Sequence, residues 1–249
     1  MRERPIRRAA NAVFTFGWTM GQTALALGDH AIRHDATSLR RYPRRWADGL
    51  LRAWGIRLDV QGLERVPTGE RLVILCNHQS YIDVVALFHV LPELPVFLAK
   101  KELSRVPLFG RVMGELGHVF VDRGKHEQAI ASIEAAARTL RPGMPVVVFP
   151  EGTRTRRPVI QPFKKGAFHL AKAAHAPILP IGIVGSHEAW PRGTAAPVPA
   201  EVKLRIGAPI PAPEVDALPL DELIARARAD IVALTGLPAA DRSEGRRPR

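Results

Sequence analysis

Leu72-Val73-Ile74-Leu75-Cys76-Asn77-His78-Gln79-Ser80-Tyr81-Ile82-Asp83 is the stretch on which the fold turns. Its apolar opening reads as a strand. The polar residues from Asn77 to Ser80 break that run, and residues 84–91 continue as an apolar helical run, so the order is strand, loop, helix. This places His78 at the carboxyl end of a strand, where open α/β sheets bind ligands.

The same alternation extends in both directions. Strands are expected at 57–61, 72–76, 96–99, 118–121, 146–149, 178–183 and 202–206. Helical spacing is clearest at 127–140, where Ile130, Ile133, Ala137 and Leu140 recur before Pro142 and Gly143 stop the helix, and again at 221–234. The expectation is a single α/β domain over 56–236, with a mostly parallel or mixed central sheet covered by helices. Its 249 residues, 46% of them hydrophobic, suffice for one substantial core. Residues 1–55 precede it as an amphipathic helical hairpin, and 237–249 follow as a basic, disordered tail.

Charge is uneven along the chain. Lysine and arginine number 36 against 24 acids, a formal charge of +12. Residues 1–57 hold eleven arginines and four acids, a net of +7, and the rest is closer to balance. Residues 9–28 carry no charge and include Phe14, Phe16, Trp18, Met20, Leu25 and Leu27. Their length is that of a minimal membrane span. However, Asn11, Thr15, Thr19, Gln22 and Thr23 interrupt them, which favours a helix in the membrane interface over one marginal span. Basic residues ahead of an apolar stretch ending in Ala24-Leu25-Ala26 also have the outline of a signal peptide, against which the same polar interruptions weigh.

Residues 39–54 set Arg40, Arg41, Arg44, Arg45 and Arg52 among Leu39, Tyr42, Trp46, Leu50, Leu51 and Trp54, a pattern suited to an anionic membrane surface. An ordinary helix packed on the domain with its arginines solvated fits the same residues. The +12 charge would also suit nucleic acid, but the chain has no recognised nucleic-acid motif, so none is expected as partner. A single cysteine, Cys76, excludes an intramolecular disulfide and a multi-cysteine zinc site and fits a reducing, cytoplasmic setting.

Four segments could carry chemistry. In the first, Asp83 stands in the opening turn of a helix, able to turn back on the His78 ring, fix its tautomer and support proton transfer. Ser80 and Asp83 equally fit a capping box, leaving His78 a loop residue. Ser80 lacks the glycine-flanked setting of a nucleophile elbow. In the second, Val146-Val147-Val148-Phe149-Pro150-Glu151-Gly152-Thr153-Arg154-Thr155, another apolar strand runs into a loop whose Gly152 allows close backbone approach. There Thr153, Arg154 and Thr155 could grip a phosphate, with Arg156, Arg157, Lys164 and Lys165 adding charge. A turn with a solvated basic cluster is the alternative. In the third, residues 117–124, Arg123 is a second phosphate candidate unless it pairs with Asp122 or Glu127. The fourth, residues 178–185, has no reactive group and would wall an apolar site.

In this order, with Lys100-Lys101-Glu102-Leu103 and Pro162-Phe163-Lys164-Lys165-Gly166 between them, the segments resemble the four motifs of the lysophospholipid acyltransferase family over roughly residues 55–210. The resemblance implies that His78 and Asp83 are the catalytic pair. It implies substrate binding by Asn77, Lys100, Arg123, Glu151, Gly152, Thr153 and Arg154; Thr155 stands where many members have serine. It further implies an O-acyltransferase that needs no metal or bound cofactor. The acyl donor would be acyl-CoA or acyl carrier protein, and the acceptor a lysophospholipid, foremost 1-acylglycerol-3-phosphate. Another lyso-lipid such as lyso-ornithine lipid is the alternative acceptor, and a non-catalytic membrane-binding protein the alternative role. The amino-terminal helices would form a membrane platform, placing the protein on the cytoplasmic face.

Overall fold

Two helices, α1 (Pro5–Arg33) and α2 (Tyr42–Trp54), open the chain and lie antiparallel, joined by a 3-10 turn. The computed structural model describes residues 5–121 and 140–240, together with Ala137. Pro43 favours the start of α2, and Gly55, in the left-handed region at φ 70°, closes it by donating to Arg52 and Leu51 carbonyls.

The strands β1 (Ile56–Gln61), β2 (Val73–Cys76), β3 (Val96–Lys100), β4 (Val119–Val121), β5 (Val146–Val148), β6 (Ile178–Val184) and β7 (Ala200–Ile206) follow the expected positions to within two residues. They form one sheet in the order β1-β7-β6-β2-β5-β3-β4. The five strands from β6 to β4 run parallel. β7 pairs antiparallel with β6, and β1 runs parallel to β7, so the sheet is mixed.

Alternation along the strands splits the core into two layers. Ile74, Phe97, Val147, Ile181 and Leu204 meet α2 and α3 (Ile82–Val90) on one face. On the other, Val73, Leu75, Val146 and Ile178 meet two later helices, Gly166–Ala173 and Leu220–Thr235. The helix expected at 127–140 lies outside the described residues except for Ala137 and Leu140.

Contacts cross two of the expected boundaries. Leu50, Leu51 and Trp54 of α2 are buried in the same core as the sheet, so α2 is built into the α/β body rather than appended to it. Residues 237–240, expected to open the tail, bridge to Ile160, and Arg228 donates to the Ala240 carbonyl at 2.6 Å.

α1 inverts the usual amphipathic arrangement. Its polar residues face the protein: Asn11 donates to the Pro197 carbonyl, Thr15 accepts from the Trp54 indole, and Thr19 accepts from the Trp46 indole. The polar interruptions that spoil the stretch as a span are thus its inner face. Val13, Phe16, Leu25 and Ile32 face outward, at 74%, 70%, 53% and 81% exposure. Among the described residues no helix is long and apolar enough to cross a membrane.

Candidate active site

β2 delivers Asn77 and His78 to the carboxyl edge of the parallel strands, and α3 returns Asp83 to them from its first turn. Asp83 is fully buried. Its Oδ2 accepts three hydrogen bonds: from Gln79 N–H and Ser80 N–H, both at 2.8 Å, and from His78 Nδ1 at 3.0 Å. The acidic arm of the capping box is therefore present. The serine arm reaches one residue short: Ser80 Oγ accepts the Ile82 N–H at 3.3 Å while donating to the Trp190 carbonyl at 3.1 Å. One carboxylate both caps the helix and holds the imidazole. A carboxylate acceptor at Nδ1 requires the hydrogen on that nitrogen, leaving a lone pair on Nε2, which has no partner among the described residues.

The second segment clamps His78 from the other side. Its ring stacks on Phe149, with centroids 3.9 Å apart. Its N–H donates to Glu151 Oε1 at 2.7 Å, and its carbonyl accepts the Thr155 N–H at 3.0 Å. Glu151 Oε2 accepts the Gln161 N–H at 3.1 Å, so both carboxyl oxygens are committed to backbone groups. Burial pushes the Glu151 carboxyl up to about 8 against the pull of those two N–H groups.

The remaining expected residues divide. Asn77 is fully buried, and its amide makes two bonds to the Ile183 backbone, donating at 2.8 Å and accepting at 2.7 Å. That stitches β2 to β6 just beyond their ladder. Gly152 takes φ 75°, and a Cβ there would meet Lys164 Nζ at 2.7 Å, so the lysine lies directly over the loop. The Arg154 guanidinium stacks over the half-exposed Tyr81 ring, 3.6 Å from its centroid, which brings a cation beside the His78 loop. Thr153 is exposed, and Lys100 pairs outward with Glu102 at 2.9 Å. Arg123 lies outside the described residues. Cys76 is fully buried in β2, and burial pushes its thiol well up, which removes it as a nucleophile.

Sequence reading missed Gln161, Ile183 and Trp190, the backbone partners that hold Glu151, Asn77 and Ser80. They carry no signal, because only a backbone group is used and the partners stand 10 to 110 residues away. Chemically, the site offers a histidine with one nitrogen fixed and the other unpartnered, next to an arginine at a loop. Among the described residues no three His, Cys, Asp or Glu side chains gather as metal ligands would.

Residues 57–184 match the family model described as Acyltransferase. The chain is 39% identical over 153 residues to a 1-acyl-sn-glycerol-3-phosphate acyltransferase of Limnanthes douglasii, which covers 60% of this chain and 54% of that one. It is 32% identical over 199 residues to the human 1-acyl-sn-glycerol-3-phosphate acyltransferase alpha, covering 80% and 70%. The chain thus spans about half the length of its plant relatives. The crystal structure of the 1-acyl-sn-glycerophosphate acyltransferase PlsC from Thermotoga maritima superposes with a TM-score of 0.78 at 21% identity, over 98% of this chain and 99% of that one, a likeness of fold.

Proposed function

This chain belongs to the acyltransferase family, and from that premise we propose that it transfers a fatty acyl group from acyl-CoA or acyl carrier protein to the free hydroxyl of 1-acylglycerol-3-phosphate. The observation that carries the reading is the 3.0 Å contact between His78 Nδ1 and Asp83 Oδ2 at the carboxyl edge of the sheet.

His78 Nε2 takes the acceptor's hydroxyl proton as that oxygen attacks the thioester carbonyl. The new ester C–O bond forms, the C–S bond breaks, and the imidazolium returns its proton to the departing thiolate. Asp83 stabilises the imidazolium and keeps the ring from rotating. Attack is direct, so no acyl-enzyme is required, in keeping with a buried Cys76 and a Ser80 hydroxyl committed to Trp190. Arg154, held on Tyr81 beside the His78 loop, supplies the cation for the acceptor's phosphate. The outward apolar face of α1 rests on the membrane that holds the acceptor, at its cytoplasmic surface where both donors reside.

The test is acyl transfer by purified protein in detergent, with lysophosphatidic acid and with lyso-ornithine lipid, using each donor in turn. Lysophosphatidic acid is the expected acceptor. His78→Ala and Asp83→Asn are each expected to lower kcat by about 10² to 10⁴. Wild-type rates in His78→Ala would refute the mechanism, and faster transfer to lyso-ornithine lipid would refute the acceptor.

A further inference from the structure

Between α1, α2 and the end of α3 lies a cavity of about 540 Å³ that the proposed chemistry does not use. Five arginines line it: Arg40, Arg41, Arg44, Arg45 and Arg52. Among the described residues Asp48 is the only acid in its wall, and it is engaged with His89 at 2.5 Å. Arg41 pairs with Asp29, and Arg44 donates to the Leu91 carbonyl at 2.6 Å. Arg40, Arg45 and Arg52 are exposed and have no ion-pair or hydrogen-bond partner among the described residues. Guanidinium groups gathered around one cavity repel each other unless an anion lies between them.

The aromatic part of the lining fixes what kind of anion. Trp18 of α1 lines the cavity, its indole held by the Trp46 carbonyl at 3.0 Å, and Phe14 stacks on it at 5.8 Å while remaining 40% exposed. Phe14 belongs to the outward apolar face of α1, so the cavity opens beside the surface that would enter a membrane interface. Aromatic rings at that depth with unpaired arginines beside them match a lipid headgroup. The site is also remote from His78. α3 runs between them, nine residues long and so about 13 Å.

We infer that this cavity is a second anion site that seats the phosphate of an anionic membrane lipid, distinct from the acceptor's, and fixes how the protein sits on the bilayer. The inference rests on the membrane-resting face of α1 proposed above. Phosphate is recognised here by planar guanidinium forks, which can each make two parallel hydrogen bonds to it; an ammonium of equal charge cannot.

The experiment compares vesicle flotation of the full chain on pure phosphatidylcholine and on vesicles with about 30 mol% phosphatidylglycerol. Wild type is set beside the Arg40→Lys/Arg45→Lys/Arg52→Lys triple, the corresponding Gln triple, and a charge-matched Gln triple at Arg57, Arg71 and Arg141 outside the cavity. The Lys triple keeps the charge and loses the forks, so it is expected to lose about tenfold in affinity for the phosphatidylglycerol vesicles, approaching the Gln triple. The outside triple should change it by about twofold or less. Binding to phosphatidylcholine alone, which reads the apolar face, should be equal in all four.

A Lys triple that binds like wild type would overturn the site, leaving diffuse attraction by charge. Displacement of the vesicles by millimolar coenzyme A or inorganic phosphate, in wild type but not in the Gln triple, would overturn the lipid and assign the cavity to a soluble phosphate. Wild type that ignores both compositions would overturn the membrane reading and this site together. Acyl transfer in detergent reads the His78 chemistry independently.

Discussion

The carboxyl group of Glu151 holds the backbone of His78, not its ring: Oε1 accepts the His78 N–H at 2.7 Å from a position only 4% exposed. A segment 73 residues downstream therefore sets where the loop after β2 leaves the sheet, while Asp83 sets how the ring turns. Each carboxyl oxygen of Glu151 already accepts a backbone N–H, so a positioning role is the one we propose for it.

Glu151→Gln should accordingly weaken the site without weakening substrate capture. One of its two acceptors becomes an N–H facing a backbone N–H, at a cost of about 1–3 kcal/mol in urea unfolding. Displacement of His78 should lower kcat on the order of 10- to 100-fold while KM for the acceptor stays within about twofold. A large rise in KM with kcat intact would make Glu151 a substrate ligand instead.

Stability should be greatest on the acid side of neutrality and fall towards alkaline pH, because two buried groups act in opposite senses. Glu151, raised to about 8 from an ordinary 4.5, binds its proton more tightly in the folded state. Stability therefore falls as pH rises from about 4.5, and the loss is complete above about 8. His118 is opposite in sign. Burial lowers it from 6.5 to about 4, and its Nδ1 accepts the Phe97 N–H at 2.9 Å, so stability falls as pH drops from 6.5 towards 4. Above pH 6.5 the Glu151 slope acts alone, and between about 4.5 and 6.5 the two slopes oppose and nearly cancel. Denaturation across pH should find the alkaline loss removed in Glu151→Gln, and in His118→Asn, whose amide oxygen can still accept from Phe97, a stability that keeps rising as pH falls from about 8 to 4.5.

Asn77 should prove structural. Asn77→Ala removes both bonds to Ile183 and strands a buried N–H and carbonyl, costing about 2–4 kcal/mol in chemical denaturation. Asn77→Asp should cost more, since a carboxylate oxygen would face the Ile183 carbonyl in a fully buried position.

Arg154 and Tyr81 should act as one unit. Arg154→Lys keeps the charge but loses the flat stacking surface, and Tyr81→Leu removes the ring on which the guanidinium rests. Each is expected to raise KM for a phosphate-bearing acceptor about tenfold with a smaller change in kcat, and the double variant should be less than additive. Additive effects in steady-state kinetics would show that the ring does not place the arginine.

The two faces of α1 should separate in substitution experiments. Phe16→Glu, at an outward position, should reduce vesicle binding with little change in Tm. Thr15→Val should leave vesicle binding alone and lose about 1 kcal/mol, because the buried Trp54 indole N–H loses its acceptor.

The amino-acid sequence determined the elements of this protein and the identity of its central pair. Apolar runs separated by polar loops placed all seven strands, and His78 and Asp83 stand five positions apart, within reach of one helical turn. Both are local signals, because strand and helix periodicity and a cap are properties of neighbouring residues. The spacing of Asp83 fits a cap and a histidine partner equally, the family resemblance adds the partner role, and the structure shows both contacts, since one carboxylate oxygen can accept from two backbone N–H groups and a ring. Tertiary structure alone decided that Glu151 and Asn77 face backbone, that the polar residues of α1 point inward, and that arginines of α2 close a cavity against Trp18. These depend on which segments meet across the sheet and between helices, and the periodicity of a single segment does not encode its neighbour. For that reason the polar residues that argued against a membrane span from sequence turn out to fasten an outward apolar helix to the protein.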